Sequence, residues 1–279
     1  MTGGEAGLVT AMMPAYNAAK NIGEAITSIQ AQTYEAWELI VVDDGSIDET
    51  AEVVRSFHDP RIQLVQLPEN RGRGFARNEV LRRARGEFIA ICDSDDVSLP
   101  TRFERHVDFL RQHPEIGIVS SQVLYFSEGS APTLSMVYPE APEDIDRRFA
   151  RGRSAVPNQG AMIRAALFEE HGPYSEAFRR AQDLDFFLRL PAGSFQTLPE
   201  PGVLYRQSPS DLSWRYFREN ARYTRYAYYV AEQRANGGEA VPVAAFARRP
   251  ANVLRSWTVD AARYWYLAFR RRRRSFALR

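Results

Sequence analysis

The 279 residues include 44% hydrophobic and 25% charged side chains, ordinary values for a folded globular protein that exclude a disordered or fibrous chain. A single cysteine, Cys92, excludes an intrachain disulfide and a zinc–cysteine site and fits a reducing compartment. The net charge of +1 hides a division: residues 248–279 hold ten arginines against one acid, Asp260, so that segment carries +9 and residues 1–247 carry −8.

The N-terminal stretch MTGGEAGLVTAMMPAYN has neither the basic start nor the long apolar run of a secretory signal. No run approaches the roughly 18 apolar residues of a spanning helix. A cytoplasmic location is therefore expected, with peripheral attachment to the cytoplasmic face of a membrane as the variant that the basic tail allows.

Leu8 to Met13 is an uninterrupted apolar run closed by Pro14. Asn21 to Gln32 then repeats apolar residues at Ile22, Ala25, Ile26 and Ile29, so a strand is followed by a loop and an amphipathic helix. Trp37 to Val42 reads as a second buried strand, closed by Asp43, Asp44 and Gly45. Ser46, with Glu49 three residues later, carries the signature of a capping box for a helix reaching about Phe57. Ile62 to Leu67 reads as strand, Gly74 to Arg85 as helix, and Glu87 to Cys92 as a fourth strand whose lack of alternation implies burial on both faces. Strands alternating with helices at this spacing imply right-handed crossovers and a mainly parallel central sheet.

Asp93-Ser94-Asp95-Asp96 follows the fourth strand, and Asp43-Asp44 follows the second. In such a sheet both acid groups fall on the carboxyl edge, where ligands bind. Turn or capping chemistry accounts for either group alone. Their repetition on one edge favours a shared polyanion or metal-nucleotide site. Three carboxylates in four residues are tolerated best around a cation or in water. No dinucleotide fingerprint follows the first strand, where Pro14-Ala15-Tyr16-Asn17 has no glycine, and no Walker A sequence occurs. Gly72-Arg73-Gly74 reads as a flexible turn bearing an arginine. A cation held by carboxylates is then the natural alternative for carrying phosphates.

Thr101 to His113 reads as helix and Ile116 to Tyr125 as strand. Phe126 to Pro157 reads as a variable loop region, with a short helix near Asp144 to Arg151, in a position suited to acceptor choice. In Arg180 to Leu190, Leu184, Phe187 and Leu188 form an apolar stripe. Asp183 and Asp185 lie about 200° apart around the axis, so only one of them can face a site. Trp214 to Tyr229 interleaves aromatics with arginines, and a helix packing its aromatics on the body is preferred over base stacking. No RNA-binding signature occurs and no nucleic-acid partner is expected. His58, His106, His113 and His171 read as ordinary surface residues. Leu254, Trp257, Ala261, Tyr264, Trp265 and Ala268 form a helical apolar face ahead of Arg270 to Arg274. Two readings of it stand: a helix at an anionic membrane surface, or a packed helix with a solvated charged end.

Three stretches, MPAYNAAKNIGEAITSIQAQTYEAWELIVVDDGSIDET, NRGRGFARNEVLRRARGEFIAICDSDD and GAMIRAALFEEHGPYSEAFRRAQDLDFFLRL, resemble the inverting family 2 glycosyltransferases of the GT-A fold, over about Val9 to Leu212. The resemblance implies an α/β GT-A fold divided into a nucleotide-sugar-binding half (1–100), an acceptor-binding and catalytic half (101–212) and a helical extension with a basic tail (213–279). It implies that Pro14, Tyr16, Asp43 and Asp44 line a nucleoside pocket, with Asp43 or Asp44 bonding the base. Arg73 or Arg77 would lie near the nucleotide with Ser94, and Asp93 near the ribose. Asp95, with Asp93, would hold a divalent cation, Mn2+ or Mg2+, that bridges the diphosphate.

The same resemblance selects Asp183 as the catalytic base. Gln182 stands where the family usually has Glu, and Gln207 and Ser208 stand where many relatives have a histidine. The implied activity moves a sugar from a nucleotide diphosphate donor, a UDP-sugar first, to the hydroxyl of a saccharide or lipid-linked acceptor, in cell-surface polysaccharide or glycoconjugate synthesis. The alternatives are a catalytically silent nucleotide-sugar-binding scaffold and a sugar-1-phosphate nucleotidyltransferase. The latter is disfavoured because the first loop lacks that class's glycine-and-arginine signature.

Overall fold

Apolar runs without alternation can be satisfied only between two layers, and the chain supplies both. The computed structural model describes residues 4–208 and 213–255 together with Asp260. Its first half alternates β1 (Glu5–Ala15), α1 (Ile22–Gln30), β2 (Trp37–Asp43), α2 (Thr50–Arg55), β3 (Ile62–Gln66), α3 (Arg73–Leu81) and β4 (Gly86–Ile91). The second half adds β5 (Val97–Ser98), α4 (Arg102–Gln112), β6 (Ile118–Phe126) and α5 (Pro142–Ala150). A 3-10 turn (Asn158–Gly160), β7 (Met162–Arg164), α6 (Ala166–His171), α7 (Gln182–Phe187) and β8 (Phe195–Arg206) follow. Three helices end the described chain: α8 (Trp214–Ala235), α9 (Val243–Arg248) and α10 (Pro250–Arg255).

One sheet joins the halves in the order β3-β2-β1-β4-β7-β6-β8-β5. The pairs β1/β2, β2/β3 and β1/β4 are parallel, as the alternating pattern predicts. Beyond β4 the sheet is mixed: β7 runs antiparallel to β4 and β6, β8 lies parallel to β6, and β5 antiparallel to β8. Successive strand residues feed opposite cores. Met12, Ile40 and Ile89 join the cluster that includes α3, α7 and α8 residues, while Ala11, Leu39 and Phe88 join the one that includes α1 and α4 residues. Truncating any of the large side chains among these to Ala would cost about 2–5 kcal/mol through the cavity it leaves. Gly86 allows the close crossing of β1 and β4, since a Cβ there would lie 2.6 Å from the Thr10 amide nitrogen.

Two expectations are corrected. The Ser46–Glu49 capping box does not form: α2 begins at Thr50, without a side-chain cap. Ser46 is used elsewhere, its amide donating to Asp43 Oδ1 (3.0 Å) and its hydroxyl accepting from the Asn17 amide (2.9 Å). His106 is no surface residue. It is fully buried on the inner face of α4, its Nε2 against Ser121 Oγ, because β6 supplies a polar partner inside the core.

The amphipathic reading of 214–229 holds, with Tyr223, Tyr226, Ala227 and Val230 of α8 buried. Among the described residues no helix is long and apolar enough to cross a membrane. The apolar face expected from Leu254 to Ala268 and the run Arg270 to Arg274 lie outside the described side chains, apart from Asp260, which pairs with Arg225 at 2.7 Å.

Candidate active site

In the strand order β3-β2-β1-β4, the chain winds one way from β1 to β3 and then crosses back to place β4 on β1's other side. The carboxyl ends of β1 and β4 therefore part at a switch point, which opens a crevice. A cavity of about 930 Å3 lies there. Pro14 and Tyr16 reach it from β1, Asp44 from β2, Arg73 and Arg77 from α3, and Asp93, Ser94 and Asp95 from the end of β4. Asp183, at the start of α7, lines the same cavity from the other half of the sheet. Asp43 is the exception among the expected site residues: it is buried beside the cavity without lining it.

Asp44 organises the side of the crevice next to α3. Its two carboxylate oxygens accept the amides of Arg71 (2.7 Å) and Gly72 (2.8 Å), fixing the loop that feeds α3. Burial raises its pKa above the ordinary carboxylate value, and the two amide bonds work against that rise. Gly45, at φ 72°, lets this loop pass close, since a Cβ there would sit 2.5 Å from the Glu69 carbonyl carbon. The turn 72–74 is thus held by a carboxylate rather than left flexible. It delivers Arg73 and Arg77 to the cavity floor. Arg77 is 2% exposed and lies 3.5 Å from Asp93. Asp93 above all, with Tyr216, Asp95 and Asp183 adding, lifts the Arg73 guanidinium above its usual value.

The DSDD turn is braced from behind by residues that sequence reasoning passed over. The Arg206 amide donates to Asp96 Oδ1 and its Nε to the Asp95 carbonyl, both at 2.9 Å, while its guanidinium pairs with Glu24. Arg102, fully buried, donates to the carbonyls of Ile91 (2.7 Å) and Ala161 (3.1 Å) and to Ser98 Oγ (2.9 Å). Asp96 is buried, and desolvation with the nearby Asp93 and Asp95 charges pushes its pKa well above the carboxylate range. No local pattern announces these partners, because apart from Ser98 they are 11 to 182 positions away in the chain.

On the facing side, Ala181 adopts a left-handed conformation (φ 57°) that starts α7 abruptly and aims Asp183 into the cavity. Asp185 points the opposite way, as the 200° argument requires. It is fully buried and pinned by Arg189 of its own turn and by Arg234 of α8, whose Nη2 lies 3.0 Å from Oδ1 at an angle too poor for a hydrogen bond. Gln182 is buried with its Nε2 unpartnered.

Among the described residues no three carboxylate, imidazole or thiolate groups converge. A caged metal is thus not built among them. The donor set instead suits a hard cation that takes one or two carboxylates and completes its shell with phosphate oxygens and water. Asp95 is exposed at the cavity, and Asp93 shares its charge with Arg77.

A parallel half ending in paired acids and arginines, joined through one sheet to a mixed half that adds Asp183, defines an α/β chain of the GT-A type. The chain belongs to glycosyl transferase family 2, whose model matches residues 10–172. It is 31% identical over 203 residues to the putative glycosyltransferase EpsE of Bacillus subtilis, covering 71% of this chain and 72% of that one. The fold is shared with S. aureus TarS 1-349 in complex with UDP, at 24% identity and a TM-score of 0.59 over 77% of this chain; the match spans only 65% of that fragment. It is also shared with the mannosyltransferase PcManGT of Pyrobaculum calidifontis in complex with GDP-Man and Mn2+, at 21% identity and a TM-score of 0.61, covering 94% of this chain and 86% of that one. The family match ends before Asp183 and α8, so the wall they build lies outside it.

Proposed function

We propose that this chain transfers a sugar, with inversion, from a nucleotide diphosphate sugar to an acceptor hydroxyl, in the synthesis of a cell-surface polysaccharide or glycoconjugate. The observation that carries the reading is one cavity lined by acids and arginines from the parallel half and by Asp183 from the other. Pro14, Tyr16 and Asp44 would hold the nucleoside, with Asp43 fixing the turn that follows through the Ser46 amide. Arg73 and Arg77 would offset the diphosphate charge beside Ser94, and Asp93 would reach the ribose. Asp95, with Asp93, would hold Mn2+ or Mg2+. A cation bound there supplies charge stabilisation for the departing diphosphate. Asp183 accepts the acceptor hydroxyl's proton as that oxygen attacks the anomeric carbon. The solved structures of like fold hold UDP and GDP-Man, which supports a nucleotide-sugar donor without choosing the base.

The test is a thermal-shift panel of UDP- and GDP-sugars with manganese and with chelator. A matching donor must raise the unfolding midpoint by mass action. Asp95→Asn should lose the manganese-dependent part of the shift and keep the fold. Equal shifts in manganese and chelator would remove the cation from the reading. A donor that binds while no acceptor is ever glycosylated would favour the silent scaffold instead.

A further inference from the structure

The segment between β6 and α5 stands out from the body on two fixed feet. At one foot, Tyr125 and Thr133 exchange both backbone hydrogen bonds, at 2.8 and 2.9 Å. At the other, the buried Gln122 side chain accepts from the Tyr138 amide and donates to the Tyr138 carbonyl, both at 3.0 Å. The residues between the feet form an arch. Three of its side chains are large, apolar and left in water: Leu134 is 48% exposed, Met136 44% and Val137 62%. Apolar side chains grouped in this way mark an interaction site, where scattered single ones do not. No charged residue occurs from Gly129 to Pro139, so the arch can leave water without stripping a charge of its hydration.

Positive charge lies beside it. The Arg148 guanidinium, in the last turn of α5, sits 5.9 Å from the centre of the Tyr138 ring, and the exposed Arg151 and Arg153 follow. The acids of α5 are engaged elsewhere: Asp144 takes Arg147, and Asp146 accepts the Gly193 amide. Among the described residues no carboxylate pairs with Arg148, Arg151 or Arg153. The same face runs on to α8, where Tyr228 donates to the Arg153 carbonyl (3.1 Å) and Arg225, three residues earlier, takes Asp260 at the start of the basic tail. It also borders the cavity. Arg148 Nε donates to the carbonyl of Ser154, a lining residue, and Glu128, ahead of the arch, pairs with Lys20 between the lining residues Ala18 and Asn21.

We propose that the arch 134–137 enters the headgroup region of an anionic bilayer, with Arg148, Arg151 and Arg153 on the lipid phosphates around it. Three side chains fall far short of the roughly 800 Å² that each partner of a stable protein complex covers. They suffice for insertion into lipid beside a basic rim, and stable attachment takes two such signals. The arch supplies the apolar one, and the arginine cluster with the tail supplies the electrostatic one. The cavity mouth then lies at the bilayer surface.

The test uses full-length protein at low salt with vesicles of phosphatidylcholine and phosphatidylglycerol. Met136→Cys puts a thiol on the arch for an environment-sensitive dye, since the native Cys92 is buried. Gln63→Cys, on the edge strand β3 at the other end of the sheet from β6, is the control. With vesicles, the dye at 136 should shift to shorter wavelength and be quenched by brominated lipids, and the dye at 63 should do neither. Leu134→Ser, Met136→Ser and Val137→Ser together should weaken vesicle binding about 10–100-fold with the unfolding midpoint unchanged. What binding remains should keep its salt dependence, because the arginines are untouched. Arg151→Gln with Arg153→Gln should weaken binding about tenfold.

Vesicle-bound protein whose dye at 136 stays in water overturns the proposal, as does a triple serine variant that binds like the parent. A dye shift that grows with protein concentration in the absence of lipid overturns it too, and assigns the arch to a second copy of the chain. None of these readouts needs a nucleotide. The arch can therefore fail while sugar transfer stands, and the reverse.

Discussion

Asp183 and Asp185 sit two residues apart and do opposite work. Asp183→Asn keeps the size and hydrogen-bonding reach of the side chain but cannot take a proton. Transfer should fall about 10²–10⁴-fold while donor affinity holds, read by kinetics and titration on one preparation. If donor affinity falls equally, Asp183 is a binding residue. Asp185→Asn is not the silent control that its outward direction alone would suggest. It leaves Arg189 and Arg234 around a neutral amide in a fully buried place.

His106 gives the pH prediction at this scale. Burial, with Arg102 and Arg105 nearby, holds its pKa well below the ordinary 6.5, so the folded protein keeps it neutral. Below about pH 6.5 the unfolded chain takes up a proton that the folded one refuses, and stability falls with pH, by up to about 1.4 kcal/mol per unit from this group. His106→Gln removes that contribution. In urea titrations between about pH 7 and about pH 5 the variant should lose less stability than the parent, and equal slopes would mean the ring is already charged in the fold.

At the scale of elements, α7 is too short to hold its own direction and borrows it from α8. Asp185→Asn should cost about 3–5 kcal/mol in urea unfolding, the range for breaking a buried pair. Arg234 is 43% exposed and Arg189 remains beside Asp185, so Arg234→Ala should cost only about 1 kcal/mol. If the contact aims Asp183, Arg234→Ala should also lower kcat more than it raises the donor KM. A stability loss with unchanged kcat would make the contact merely structural.

The strands and the acid pairs at their ends were readable from composition and period. An apolar run that never alternates must be covered on both faces, and acids directly after it must lie where the strand leaves the core. Arg102, His106 and Arg206 were not readable, since nothing near them in sequence shows that they end in the core or behind the acids. The capping box failed for a related reason. Ser46 matched a local pattern, but Asn17 and Asp43, brought beside it by β1 and β2, claimed it first.

For the whole molecule, the division of charge is the feature that the described residues only begin to account for. Asp260, the tail's one acid, pairs with Arg225 on α8, which places the tail's start against the body. Seven arginines follow it. Full-length protein should bind anionic vesicles at low salt and release them as salt screens the contact, and removing residues 262–279 should abolish the binding in a flotation assay. Indifference of the full-length protein to such vesicles would assign the tail to packing or to a protein partner.

Arg206 also bears on the order in which the molecule can be made. The turn carrying Asp95 and Asp96 leaves the ribosome more than a hundred residues before the arginine that clasps it, and Glu24, which the same arginine grips, earlier still. Until β8 docks, Asp96 lacks its amide partner and the turn has only Arg102 and Arg77 beside it, without the Arg206 clasp. Such distant pairing is slow to close. A nascent chain with a finished parallel sheet would therefore remain unready for a nucleotide, and readiness would arrive late, in one step, when the last strand joins.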